Sequence, residues 1–261
     1  MTAKRIDVNS DVGESFGAWT MGADEALMPY LTSASIACGW HGGDPQVMRR
    51  TVRLARTHGV RVGAHPGYPD LLGFGRRPMQ LLPGEARDYI LYQIGALYAF
   101  AKAEGLRLQH VKPHGALYHA AVKDRLLSQE IAGAIAEVDP TLILVAFPGS
   151  ELVKAGQEAG LRVAAEGFGD RAYNEDGSLV SRSAPGALVI DPDAVADQVL
   201  LMVEGKVRAI TGRMIPITVD TVCLHGDTPG APAIAKRLRE RLALAGVKTM
   251  PLEELLVGQV S

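Results

Sequence analysis

Cysteine is nearly absent from this chain: Cys38 and Cys223 are the only two, and no CxxC pair occurs. That excludes a disulfide framework and a thiolate zinc site, and two cysteines so far apart read as reduced, packed core residues. Neither sign of charge is in excess. The formal net charge is -2, with 27 basic and 29 acidic side chains scattered among one another, so no basic face points to nucleic acid and no basic amphipathic helix to a membrane surface. Long apolar runs are missing as well. The longest, LILVAF at 142–147 and VLLMV at 199–203, are far too short to span a bilayer, and the first residues turn polar before a signal-peptide core can form, so a cytoplasmic location is expected. The chain also lacks GxxxxGKS/T, GxGxxG, GxSxG and HExxH, which removes the familiar phosphate-loop, dinucleotide, serine-hydrolase and zincin signatures. GFGRR at 73–77 and GFGD at 167–170 are too short to be dinucleotide fingerprints. No Ser/Gly linker or shift in composition divides the sequence, and residues 1–261 are expected to form one domain.

What is present is a rhythm. Short β-branched or apolar runs recur at 5–8, 33–37, 60–64, 108–112, 142–147, 161–166 and 217–224, without the alternation of a half-exposed strand; that suits buried parallel strands. Between them lie helical patterns with recognisable ends. Asp44 and Pro45 open one that Gly59 closes, with Val47, Thr51, Leu54, Ala55 and His58 on a shared face. Asp191 and Pro192 open another, with Val195, Val199, Met202 and Val203 inward. Ser150 begins a third, ended by Gly160, and Pro83 to Glu104 carries Ile90, Ile94, Leu97, Tyr98 and Ala101 at helical spacing. Strand then helix, repeated, predicts an α/β fold: a (β/α) barrel of seven parallel strands, or eight if VKTM at 247–250 is counted. An open doubly wound sheet would want a glycine-rich first turn, where this chain has the carboxylate-rich NSDVGES. One stretch breaks the rhythm: an Asp176-Gly177 turn between short arms marks 172–189 as a hairpin excursion over one barrel mouth.

Polar residues burst out where each strand ends, and barrel active sites are built from the loops at the C-terminal ends of strands. The set comprises Asn9, Asp11 and Glu14, then Cys38, His41 and Asp44, then His65, Tyr68 and Asp70, then Lys112, His114 and Tyr118, then Glu166, Asp170 and Arg171, and finally Cys223, His225 and Asp227. Four of the seven histidines thus follow four different strands. One such histidine is ordinarily a hydrogen-bonded structural residue; four converging on one rim point to chemistry. The other three read as structural: His58 near a helix C-terminus, His110 within a strand, His119 on the following helix. Asp11 and Glu14 fit helix capping as well as function, and Asp44 reads as a cap. Lys112 is the sharpest single residue, because an ammonium at a strand end next to Pro113 and His114 must find a carboxylate or serve an anion. Of Arg76 and Arg77, at least one is expected in solvent.

Taken in order, DVNSDVGESFG, SIACGWHGGD, GAHPGYPD, GFGRR, VKPHGALY, EGFGDRAY and CLHGD resemble the signatures of the LamB/YcsF family of 5-oxoprolinase A subunits, from about residue 5 to about residue 255. The resemblance implies a barrel similar to that of the glycoside hydrolase and deacetylase class, and ATP-driven hydrolysis of 5-oxo-L-proline to L-glutamate together with B and C subunits. ATP would be a co-substrate, with magnesium expected, and in the absence of a phosphate loop the partners are expected to bind it. Such chemistry needs a base for water, an acid for the departing nitrogen and cations for anionic groups. Asp11, His65, Lys112 and His114 are the expected catalytic set, with Asp11 or His65 positioning water, His114 donating a proton, and Lys112 with Arg171 holding anions. Asn9, His41, Tyr68, Glu166, Asp170, Arg171 and His225 are the expected substrate-binding set. Two rival readings remain open: a metal-dependent deacetylase-like hydrolase using Asp11, His41 and His65 as ligands, and a non-enzymatic subunit that binds a lactam or sugar.

Overall fold

The computed structural model describes residues 4–257. In chain order its strands are β1 (Arg5–Val12), β2 (Ser33–Ala37), β3 (Arg61–His65), β4 (Leu108–Val111), β5 (Ile143–Ala146), β6 (Arg162–Phe168), β7 (Lys206–Arg208), β8 (Met214–Pro216), β9 (Thr221–His225) and β10 (Lys248–Thr249). Seven of them, β1 to β6 and β9, form a closed parallel barrel, because β9 pairs with both β6 and β1. The sheet closes without an edge, and the strands are buried on both faces, hence the continuous apolar runs.

The eighth run differs from a barrel stave. β10 pairs only with Arg5 and Ile6 at the start of β1, before β9 joins β1 at Asp7 and β2 joins it at Asn9. Two further differences matter for the site. β1 runs on to Val12 instead of ending at residue 8, so Asn9 and Asp11 lie inside a strand with neighbours on both sides. The run at 217–224 is strand only from Thr221; it is preceded by an antiparallel β7–β8 hairpin that carried no turn signal strong enough to be read.

The helices are α1 (Asp24–Leu27), α2 (Pro45–His58), α3 (Glu85–Ala103), α4 (Gly115–Ala121), α5 (Arg125–Val138), α6 (Glu151–Glu158), α7 (Pro192–Val203), α8 (Ala231–Leu244) and α9 (Leu252–Leu255). The expected caps are in place. Asp44 accepts from the amides of Gln46 and Val47 at 2.8 and 3.0 Å, Asp191 from Ala194 at 2.8 Å, and Ser150 from Val153 at 3.2 Å, while Gly59 ends α2 with φ +67°. Two inward assignments fail. Tyr98 is exposed, because it sits one residue, or about 100° of turn, off the buried stripe of Ile90, Ile94, Leu97 and Ala101. His58 is exposed in the last turn of α2, where Val52 and Ala55 supply the packing instead.

Inside the barrel the packing is partly polar. His110 of β4 is buried and bonds Ser35 Oγ through Nε2 at 3.1 Å. It fits because its neighbour is Gly63: a Cβ there would lie 2.3 Å from the imidazole, closer than any real contact. The excursion at 172–189 is present as isolated bridges, Tyr173 to Leu179 and Arg171 to Leu188, rather than as continuous strands. Among the described residues no helix is long and apolar enough to cross a membrane.

Candidate active site

The carboxyl ends of β1, β3, β4, β6 and β9 surround a cavity of about 510 Å³, where a barrel is expected to carry its chemistry. Its floor is an ion cluster. Lys112 leaves β4 just past Val111 and is 2% exposed; its ammonium lies 2.6 Å from Asp11 Oδ1 and 2.9 Å from Glu166 Oε1, and donates to Asn9 Oδ1 at 3.0 Å and to Cys223 Sγ at 3.3 Å. Burial works against the ammonium, yet Asp11, Cys223 and Glu166 hold its pKa well above the usual value. Burial likewise pushes the Asp11 carboxyl up, but His65 and Lys112 overcome it and keep Asp11 well below the ordinary carboxylate range. Asn9 cannot turn over, since its amide nitrogen donates to Glu166 Oε1 and Thr221 Oγ1 while its oxygen faces Lys112.

Beside the ion cluster lie three imidazoles and a carboxyl. His65 Nδ1 meets the Lys112 carbonyl at 2.7 Å and His114 Nε2 meets the Phe74 carbonyl at 2.8 Å; a carbonyl only accepts, so each of those nitrogens is assigned the ring proton. The two remaining nitrogens, His65 Nε2 and His114 Nδ1, face each other at 2.9 Å. With both rings neutral, two lone pairs oppose one another; with one added proton they share a hydrogen bond. Asp11 Oδ2, 3.3 Å from His65 Nε2, supplies the compensating charge. The gap between the two nitrogens has room for one proton.

Glu14 reaches His41 Nε2 at 3.1 Å and His114 Nδ1 at 3.4 Å; it caps no helix. Burial raises the Glu14 carboxyl and lowers both His41 and His114. The loop that covers this pile passes at Gly75 with φ +64°, where a Cβ would come within 2.7 Å of the His114 ring and 2.8 Å of His41.

The expected metal set of Asp11, His41 and His65 is not gathered as such. Among the described residues, the groups whose ligand atoms lie within 4.8 Å of one another are Glu14, His41, His65 and His114, and separately Asp11, Cys223 and His225. Within the first, His41 stacks on His114 with parallel planes and centroids 3.7 Å apart. Lone pairs lying in two parallel planes do not meet at one ion, so these four side chains, as arranged, do not fit a metal.

The mouth is cationic. Arg76 and Arg182 share the Asp227 carboxylate, at 2.7 Å and 3.0 Å, and Arg171 gives one N–H to the Val180 carbonyl at 2.7 Å. On one wall His225 is oriented by Asp170, 2.9 Å from its Nδ1, and stacks against Phe168. Burial lowers the pKa of His225, but Asp170 more than restores it and leaves it raised.

All four expected catalytic residues line this cavity, as do Glu166, Arg171 and His225 of the expected binding set. Asn9, His41 and Asp170 stand behind the lining and support Lys112, His114 and His225 in turn. Tyr68 is not at the site: Gln93 of α3 donates to and accepts from the Gly67 peptide at 2.9 Å each, and Tyr68 packs into the core, 2% exposed. His119, read as structural, lines the mouth together with Tyr118 and Arg76, while Arg77 lies 64% exposed on Asp70. Arg182, sixteen residues past Glu166 in an irregular hairpin, carried no signal in the sequence.

The model of the LamB/YcsF family matches residues 6–257. The chain is 57% identical over 253 residues to the A subunit of the Pyrococcus furiosus 5-oxoprolinase, covering 97% of this chain and 99% of that one. It is 55% identical over 257 residues to the corresponding 5-oxoprolinase chain of Methylococcus capsulatus, covering 98% and 99%. The solved structure of a lactam utilization protein from Thermus thermophilus superposes with a TM-score of 0.91 at 49% identity, covering 95% of this chain and all of that one.

Proposed function

The chain belongs to the LamB/YcsF family, and from that premise we infer that it is the A subunit of a 5-oxoprolinase, opening the ring of 5-oxo-L-proline to give L-glutamate. One observation carries the reading: a one-proton imidazole pair, His65 and His114, stands beside the Asp11–Lys112 ion pair on the floor of a cavity whose mouth is cationic. A lactam acid has matching ends, a carboxylate for the mouth and an amide for the floor.

Asp11 is a poor base because His65 and Lys112 hold it ionised; its work is to orient water and to balance charge. As water adds to the lactam carbonyl carbon, its proton passes to the position between His65 Nε2 and His114 Nδ1. The Lys112 ammonium faces the oxygen on which negative charge develops. When the C–N bond breaks, that proton goes to the ring nitrogen, which leaves as the free amine. An unstrained lactam is stable because its two ends belong to one molecule. Transfer of the γ-phosphoryl group of ATP to the amide oxygen makes the carbon an imidate-like electrophile for that water. The amine departs to leave an acyl phosphate, and a second water splits this to the carboxylate and inorganic phosphate, which couples the opening to ATP. The chain has no phosphate loop, and we assign ATP, with its magnesium, to the B and C subunits.

The test is reconstitution with both partner subunits, 5-oxoproline and ATP, with glutamate as the readout. His114→Ala is expected to lower kcat by about 10²- to 10⁴-fold; full turnover in both His114→Ala and Lys112→Ala would sink the site assignment. The isolated chain is expected to hydrolyse little ATP, and vigorous ATP hydrolysis by it alone would overturn the placement of the nucleotide.

A further inference from the structure

The mouth of the cavity holds more positive charge than a lactam carboxylate needs. Arg76, Lys123, Arg171 and Arg182 line it, against the single carboxylate of Asp227. Asp227 is bonded by both Arg76 and Arg182, so one carboxylate serves two guanidiniums. Among the described residues Arg171 bonds none: it is 4% exposed, its one side-chain hydrogen bond goes to a neutral carbonyl, and its Nε is buried without a partner. Burial and the nearby Arg182 guanidinium both press its pKa down. A buried guanidinium in that state is costly unless an anion arrives.

The floor is ill suited to a bound dianion, because its one ammonium, Lys112, is already shared by the Asp11 and Glu166 carboxylates. The cavity therefore has a polarity, negative below and positive above. Asp227 bonds two of the four cations, and Asp170 and Asp176 act on Arg171 and Lys123 only through space, so the mouth keeps positive charge for a substrate carboxylate and for a further anion. At about 510 Å³ the space is also that of a drug-sized ligand, more than one five-membered ring requires. Ser178 and Ser181 of the 172–189 excursion line the same wall, the Ser178 hydroxyl donating to Asp176 and the Ser181 hydroxyl paired with Ser183.

We propose that Arg171, Arg182 and Arg76 form a binding site for a phosphoryl dianion at the cavity mouth, beside the place of the substrate carboxylate. The inference rests on the lactam-hydrolase reading and deepens it: the reaction supplying this chain is then an ATP-dependent phosphorylation, and the phosphoryl group is met here, either on an oxygen of the substrate or as inorganic phosphate. Guanidinium forks suit this ligand, since paired N–H groups match paired phosphate oxygens.

Titration of the full chain with inorganic phosphate by calorimetry tests the proposal, alone and with 5-oxoproline at saturation. Saturable phosphate binding is expected, undisplaced by 5-oxoproline, because the mouth has charge for both; joint occupancy is the arm that favours a phosphoryl group carried by the substrate. Arg171→Gln and Arg182→Gln are each expected to weaken it by about 10-fold or more. Arg182, 28% exposed in its side chain, provides a variant whose fold does not depend on a buried charge. Absence of saturable binding, displacement by 5-oxoproline, unchanged affinity in both variants, or tighter binding of ADP than of phosphate would each overturn it. The measurement needs neither turnover nor the B and C chains, so its failure leaves the glutamate assay standing. Failure of that assay with phosphate binding intact removes only the lactam reading.

Discussion

Replacing Lys112 by methionine keeps the length of the side chain and removes one buried charge. In the wild type this ammonium holds Asp11 at 2.6 Å and Glu166 at 2.9 Å, with Asn9 Oδ1 at 3.0 Å. Without it two carboxylates remain in a buried site with no cation between them, and breaking a buried pair in this way costs about 3 to 5 kcal/mol. The sign of the pH dependence changes too. In the wild type Asp11 lies below the ordinary carboxylate range, so its ionised form favours the fold above about pH 4 and that contribution fades in acid. In the variant, burial of Asp11 is opposed only by His65 and His225, its carboxyl resists ionisation, and the penalty is relieved as the pH falls. Urea unfolding of wild type and Lys112→Met at pH ~7.5 and pH ~5.5 should show the larger loss at the higher pH. A loss under about 1 kcal/mol at the higher pH, or equal losses at both, would refute the account of the floor as a charge cluster that depends on Lys112.

Gly63→Ala places a Cβ 2.3 Å from the His110 imidazole and is expected to cost more than about 4 kcal/mol; adding His110→Ala should recover part of that loss, and strictly additive melting data would show that the two residues do not compete for one space. Burial pushes the Asp7 carboxyl up from 3.8 to about 6, despite hydroxyl hydrogen bonds from Ser33, Thr221 and Thr32. A raised folded-state pKa means the ionised form disfavours the fold: the penalty, roughly 3 kcal/mol, is complete above pH ~6 and disappears by pH ~4. The stability of wild type relative to Asp7→Asn should therefore rise as the pH is lowered across that window, and a constant difference in urea unfolding would contradict it.

Much of this was legible in the sequence because it is local. Asp44-Pro45 with Gly59, and Asp191-Pro192, mark helix ends through hydrogen bonds to residues two or three positions away. The barrel follows from strand runs that lack alternation. In a parallel barrel every strand C-terminus faces the same mouth, so His65, Lys112, His114 and His225 converge wherever the loops fall. Legibility ended where a side chain had to choose between neighbours. Tyr68 follows His65 by three residues and had equal claim to the site, but the grip of Gln93 on Gly67 commits it to the core. His41 stands behind His114 instead of beside it, and His119 reaches the mouth from a helix that looked structural.

By itself, then, the sequence determined the alternation of strand and helix, the caps, the closed parallel barrel and the side chains that can reach its mouth. Each of these depends on the spacing of residues a few positions apart. Only the tertiary structure decided that Lys112 is clamped between Asp11 and Glu166, that His65 and His114 share room for one proton, and that Arg76 and Arg182 meet on Asp227. Those contacts join residues 45 to 151 positions apart, and they are set by the register between strands and the course of the loops over the mouth, which no local pattern specifies.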